Sequence, residues 1–398
     1  MLRLTALGAS AALASACAPA ATPASPTSAA KPTTAPVPQA AAATAVPAPK
    51  PTSAPAGFSD ADWNALVAAA QQEGKFSIAT YAGSGYRKVV EAFQEAVPGV
   101  VVEQAQFQSS SRDFTPRLLQ EIKAGIRTWD VALMPAQEQL RQTRPSGGLE
   151  PIRPMIVRPD VLDDNAWIDG FEAGFADTEK RWAYGITLSK SQSLWVNTDL
   201  VQDGEITKVQ DLLDPKWKGK MIAADPRTRG SGFSPAMVMR LRMGDDDIIK
   251  RLFKDQEPTL TTDARQPTEL MARGRYALAL GAIDRNILND FRAQGLGHNL
   301  KPIPLDDLEY TSHGFNCMVL LKDAPHPAAA KLFINWNLTK EAAQVWAANV
   351  ADNPRRADIP VPDPATEVKR GEKLMNIQHE ELLEETEKTQ NIAKEVLN

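Results

Sequence analysis

Two short stretches of this chain combine hydroxyls with guanidinium groups beyond what a turn requires. The first is Ser109, Ser110, Ser111 and Arg112, at the start of a predicted helix. A helix cap needs one side-chain acceptor, so at least one of these residues is expected to contact a ligand. The second is DPRTRGSG, residues 225–232, again just before a helix. Arg227 and Arg229 suit bidentate recognition of a carboxylate or phosphate, Ser231 adds a hydroxyl, and Gly230 and Gly232 permit close backbone approach. The alternative is a solvated basic turn. Ser84 lies in Ala82-Gly83-Ser84-Gly85, where free N–H groups at a helix start favour an anion, although a plain strand-to-helix turn reads the same way. TTDARQ (Asp263, Arg265) and GAIDRN (Asp284, Arg285) each carry an acid and a base, for ligand contact or for internal pairing.

Other chemistries find little support. The two cysteines, Cys17 and Cys317, lie far apart, and the four histidines form no HExxH and no close pair. No metal site and no cofactor are expected. GxSxG and the phosphate-binding P-loop are absent, so an enzyme is not indicated. A formal net charge of -5 and a pI near 5.6 give no footprint for nucleic acid.

The elements that must position these loops follow a regular grammar. Ser59 is a good N-cap for a helix through Gln72, closed by Gly74, and KFSIATYAG then reads as a buried strand. An amphipathic helix with Val89, Val90 and Phe93 on one face follows. The strand VVVEQAQF, the helix RDFTPRLLQEIKAG and the strand WDVALMPA continue the pattern. Strand–helix alternation predicts parallel sheets in an α/β protein. It resumes in KMIAAD, SGFSPAMVMRLRM, DDDIIKRLFKDQ, ARQPTELMARG, YALALGA and DRNILNDFRAQG, and again in HGFNCMVLL and PAAAKLFINWNLT. The charged stretch 366–398 is predicted as a helix on the outside of a lobe. Parallel sheets offer ligands the loops at their carboxyl ends, where the serine and arginine clusters fall.

The amino terminus reads MLRLTALGASAALASAC: one arginine, an apolar run, then small residues. That is a signal peptide, too short to span a membrane. Cys17 stands where a lipobox cysteine would be lipidated; simple cleavage at Ala14-Ser15-Ala16, releasing a soluble protein, is the alternative. Residues 18–57 are nearly all Ala, Pro, Thr and Ser, and are expected to form a disordered tether spanning about 35 Å as a flexible coil.

DLLDPKWKGKMIAADPRTRGSGF (Asp211 to Phe233) resembles the family 1 extracellular solute-binding proteins, and more narrowly the ferric-iron-binding type of periplasmic protein. YAGSGYRKVVEAFQEAVPGV, SLWVNTDL and LLKDAPHPAAAKLFINW are similar to further stretches of that family. The resemblance implies the type II periplasmic binding fold: two α/β lobes, each a mostly parallel sheet flanked by helices, joined by two crossing segments around a ligand cleft. Residues 58–185 would begin the first lobe, 186–308 would form the second with a crossing segment, and 309–398 would return to the first with the C-terminal helices. Ser189, Lys190 and Ser191 would lie on one crossing segment, and Tyr310 and His313 near the other; a histidine there is more often structural than a ligand contact.

By the same resemblance the protein would be a monomer that hands a small solute to ABC permease subunits, and the lipobox-like end would tether it through Cys17 at the outer face of the cytoplasmic membrane. One departure matters. Ferric-binding relatives use adjacent tyrosines after the strand that here reads YALALGA, and this chain has Ile283-Asp284-Arg285-Asn286 there. Ferric iron wants several anionic oxygens. A small organic anion therefore fits the arginines better, with ferric binding and a sensor or partner-binding lipoprotein as the alternatives.

Overall fold

The computed structural model describes residues 58–398 apart from Ala264, Ser312 and Ala351, with the backbone alone described at Ser111 and Asn286. The signal segment, Cys17 and the Ala/Pro-rich stretch lie outside the described residues.

Ser59 starts α1 (Asp60–Glu73): its hydroxyl accepts the Asp62 N–H at 3.2 Å, and the Asp62 carboxylate accepts the Ser59 N–H at 2.8 Å. Gly74, at φ 68°, ends the helix in the left-handed region, and the chain turns into β1 (Lys75–Tyr81). α2 (Ser84–Ala96), β2 (Val101–Phe107), α3 (Thr115–Lys123) and β3 (Val131–Leu133) follow as the alternation predicts. A single turn, α4 (Ala136–Glu138), precedes β4 (Leu149–Glu150), α5 (Pro159–Leu162) and β5 (Ala183–Gly185). The chain then crosses to β6 (Leu194–Asn197), β7 (Met221–Ala224), α6 (Phe233–Met243), α7 (Ile248–Lys250), β8 (Thr259–Thr261), α8 (Arg265–Ala272), β9 (Leu278–Leu280), α9 (Arg285–Arg292) and β10 (Leu300–Pro302). β11 (Tyr310–Thr311) leads back to β12 (Cys317–Leu321), α10 (Pro327–Asn337) and α11 (Lys340–Asn349), then β13 (Met375–Asn376) and α12 (Leu383–Leu397).

The first sheet has the order β2-β1-β3-β12-β4, with β5 also on β12; the second has β10-β6-β9-β7-β8. β1 runs parallel to β2 and β3, and β7 parallel to β8 and β9. β12 and β6, which bring the chain in from the other lobe, are antiparallel to their neighbours, so each sheet is mixed around a parallel centre. Between the lobes, Lys190 bridges Thr311, and β11 pairs with β13.

Each lobe has its own core. β1 is buried on both faces, as a central strand in a helix-covered sheet must be. Phe76 and Ile78 enter one cluster, where the Phe76, Phe93 and Phe333 rings pack with centroids 4.8–5.6 Å apart. Ala79 faces the other side, with Phe107, Phe114 and Trp129. The second lobe packs Leu194, Val209, Trp217, Met221, Leu252 and Leu278 separately.

The stretch 366–398 is not one helix. Gly371 sits at φ 79°, β13 is drawn into pairing with β11, and only Leu383–Leu397 is a regular helix. Nor does it return with the first lobe. Glu380 holds the first lobe through Arg144 and Thr178, whereas Ala393, Ile392 and Leu397 of α12 pack into the second-lobe core against α6 and α7.

Two predictions follow from the packing. Phe93→Ala opens a cavity among fully buried rings and should cost about 3–5 kcal/mol, read as a lower denaturation midpoint at unchanged m. His313 is buried, facing the Gly174 carbonyl at 3.1 Å and the Asn376 amide at 3.3 Å. Burial, helped by the Arg355 charge, pushes its pKa from 6.5 down to about 3. Between those values only the unfolded chain takes up this proton, so its contribution is complete above pH 6.5 and is lost as pH falls towards 3. His313→Gln should flatten the fall in stability by about 1.4 kcal/mol per pH unit in that window. Urea melts of both proteins at pH 7, 6 and 5 test this; parallel curves would exclude it.

Candidate functional site

The turn at the carboxyl end of β3 meets the loop that follows β7 across the space between the lobes. Arg229, after β7, reaches over: its Nη1 donates to Glu138 Oε1 at 2.7 Å, with side chains only 16% and 6% exposed. Glu138 ends the turn after β3, and its Oε2 accepts from Arg141 at 3.0 Å and from Gln142 at 2.5 Å. Burial, with repulsion from Arg141, lowers the Arg229 pKa, and Glu138 opposes that shift; a guanidinium stays charged regardless. At the other end of the cleft Arg285, the first residue of α9, pairs with Asp363, in the segment between α11 and β13.

Aromatic and polar side chains of the first lobe connect these two pairs. The Tyr81 and Tyr86 rings lie 6.1 Å apart, and Tyr81 stacks on Phe315, which is 39% exposed. Burial raises the pKa of both tyrosine hydroxyls, and the Glu138 charge adds to the rise at Tyr81. Tyr86 donates to Asn316 at 2.6 Å, and the Asn316 amide donates to Asp352 at 3.0 Å and to Thr187 at 3.1 Å. Burial raises the Asp352 pKa against the opposing charge of Arg285. A groove of about 570 Å³ opens here, lined by Arg285, Asn289, Asn349, Asp352, Asn353 and Asp363 among others. Ligand pockets for small organic molecules fall in this size range.

The predicted residues separate into groups. Ser84 is exposed at the start of α2. Ser109 caps its turn by accepting the Arg112 N–H at 3.2 Å, and Arg112 is exposed. Ser110 is buried against Thr115 and Gln139; at Ser111 only the backbone is described. Ser189 is buried and accepts the Asn353 N–H at 3.0 Å. Arg227 is held within its own lobe, by both oxygens of Asp225 and by the Leu397 carbonyl at 3.1 Å. Asp284 accepts the Ile287 N–H at the start of α9. Tyr310 is buried in the hinge with its hydroxyl 3.0 Å from Ser193. Asp263 caps α8, and Arg265 lies over the Phe291 ring. Lys190 pairs with Glu372. The arginine brought to the facing lobe is thus Arg229, met by a residue that sequence reasoning passed over. Glu138 had one signal: it follows a parallel strand at its carboxyl end. Asp352 and Asn316 had none.

Ser231 is exposed, and its carbonyl packs on Gly281 at the end of β9. Gly281 has φ +64°, and a Cβ there would run into that carbonyl; Gly125, at φ +72°, has open space. Gly125→Ala should cost only the left-handed conformation, about 1–2 kcal/mol. Gly281→Ala must also displace the 229–232 loop and should cost more. Equal losses in denaturant melts would show that the close approach is not constraining.

Among the described residues no three His, Cys, Asp or Glu side chains are grouped to hold a metal ion, and no helix is long and apolar enough to cross a membrane. Two mixed sheets joined by crossing segments define the type II periplasmic binding fold. Iron-bound HitA from Pseudomonas aeruginosa superposes with TM-score 0.58 at 17% identity, over 81% of this chain and 99% of that one. AfuA from Actinobacillus pleuropneumoniae, with fructose-6-phosphate bound, superposes with TM-score 0.57 at 20% identity, over 80% and 96%. Residues 78–344, more than half of the chain, match the family model described as bacterial extracellular solute-binding protein. The chain belongs to that family, which is one of binding proteins rather than enzymes. An uncharacterized protein of Haemophilus influenzae is 27% identical over 158 residues, 38% of this chain and 43% of that relative's length.

Proposed function

We propose that this chain is the exported receptor of an ABC importer, capturing a small organic anion between its lobes and presenting the closed form to permease subunits. The observation that carries the reading is the pair of cleft arginines. Arg229 and Arg285 each already grip a carboxylate of the protein itself, so each is oriented for the oxygens of a carboxylate, phosphonate or phosphate ester. The groove beside Arg285 has room for such a solute, and AfuA, of similar fold, holds a sugar phosphate. Ser84, Ser109, Arg112 and Ser231 would contact the solute from the rims, and Asp284 from the start of α9. Ser110, Ser189, Tyr310 and Arg227 would support the loops and hinge. The protein would act as a monomer, held at the outer face of the cytoplasmic membrane by a lipid on Cys17.

Solute bridging both lobes shifts the population towards the closed form by its differential affinity. The purified full chain should be melted with citrate, hexose 6-phosphates, phosphonates, amino acids, polyamines and ferric complexes. An anion at hundred-fold excess over its Kd should add about 2.7 kcal/mol of stability, and Arg229→Gln should weaken it by about tenfold or more. A shift only with ferric complexes or only with cations would refute the anion reading, and no shift with any solute would favour a partner-binding role.

A further inference from the structure

We infer that Glu138 is a built-in competitor for Arg229, a carboxylate that occupies the guanidinium until a sufficiently anionic solute displaces it. This rests on the anion-receptor reading and names the residue that would set its affinity threshold.

The two oxygens of Glu138 have different partners. Oε2 is anchored inside the first lobe by Arg141 and Gln142, and Oε1 alone is offered to Arg229 in the second. When Arg229 turns to a ligand, Glu138 therefore keeps a guanidinium and an amide, and no carboxylate is left buried and unpaired. Displacement is feasible for that reason. It is also selective. A carboxylate or phosphate can replace the charge-assisted bond that Arg229 gives up, whereas a neutral sugar hydroxyl cannot. Arg229 has no substitute within its loop, because Arg227 is taken by Asp225 and the Leu397 carbonyl. Asp363 is arranged differently at the other pair: the oxygen that faces Arg285 also accepts from the Thr366 hydroxyl at 2.9 Å, and its other oxygen accepts the Ala365 N–H at 3.1 Å.

Removing the Glu138 charge should free Arg229 and lift the repulsion on an incoming anion. Calorimetric titrations with citrate, fructose 6-phosphate, inorganic phosphate and neutral fructose, on the full chain and on Glu138→Gln, Arg229→Gln and the double variant, test this. For an anion that the unmodified chain binds, Glu138→Gln should lower Kd about tenfold, with no gain for fructose. The gain should disappear in the Arg229→Gln background, since contacting residues couple. If Glu138→Gln does not fold, Glu138→Asp keeps the charge but shortens its reach to Arg229, and should show a smaller gain of the same sign. Anion binding that is unchanged or weaker in the Glu138 variants overturns the competitor role and leaves the receptor reading standing. A gain that persists without Arg229 also overturns it. Binding of no anion by any variant would bring down both.

Discussion

A guanidinium carried into the space between two closing lobes must keep a partner, because an unpaired buried charge costs several kcal/mol. Much of the arrangement around the cleft answers that constraint. Arg229 stands on the loop after β7 and Arg285 at the start of α9 beyond β9, where the parallel centre of the second sheet delivers its chain ends. Their partners, Glu138 and Asp363, come from the opposite side. Both acids have further donors of their own, so the lobes can part without stranding a carboxylate. On the anion-receptor reading these contacts would exchange rather than simply break, a ligand of like charge taking over the bond that Glu138 or Asp363 gives up.

Freedom to part depends on how the lobes are joined. The chain crosses before β6 and after β10, and the crossing strands lie side by side through Lys190 and Thr311. β13 adds a third strand to this ribbon, and the segment beyond it touches both lobes, with Glu380 on Arg144 and α12 on α6. The C-terminal residues therefore bind the lobes a third time. Tyr310 and His313 are buried in or beside the ribbon, with Tyr310 bonded to Ser193 and His313 facing the Gly174 carbonyl.

Where local chemistry and packing agree, the fold was legible in the sequence. β1 reads as a buried strand because KFSIATY is short, apolar and closed off by Gly74 and Gly83, and the structure buries it on both faces. The capped start of α1 and the Gly230–Gly232 turn before α6 follow from residue type alone. The tail did not. Its apolar residues at 382–397 were visible, but the break at Gly371 depends on β13 finding β11, a pairing between residues far apart in the chain. Glu138 was missed for a related reason. It belongs to a short turn whose meaning comes from Arg229, 91 residues later and in the other lobe, and only its place after a parallel strand separates it locally from a solvated acid.

Arg227 and Arg229 show where composition stops being informative. They sit two residues apart in one loop, with the same side chain and the same predicted role. Asp225 decides between them. Its carboxylate lies two residues before Arg227 and takes that guanidinium at both oxygens, while the end of α12 supplies a carbonyl to the same group. Arg227 thereby fastens the C-terminal helix to its own lobe, and Arg229, beyond the reach of Asp225, is left to cross. Two arginines in one loop are therefore not equivalent. Here Arg227 helps hold the loop that aims Arg229, and swapping the two tasks would need a carboxylate two residues ahead of Arg229, where Arg227 itself stands.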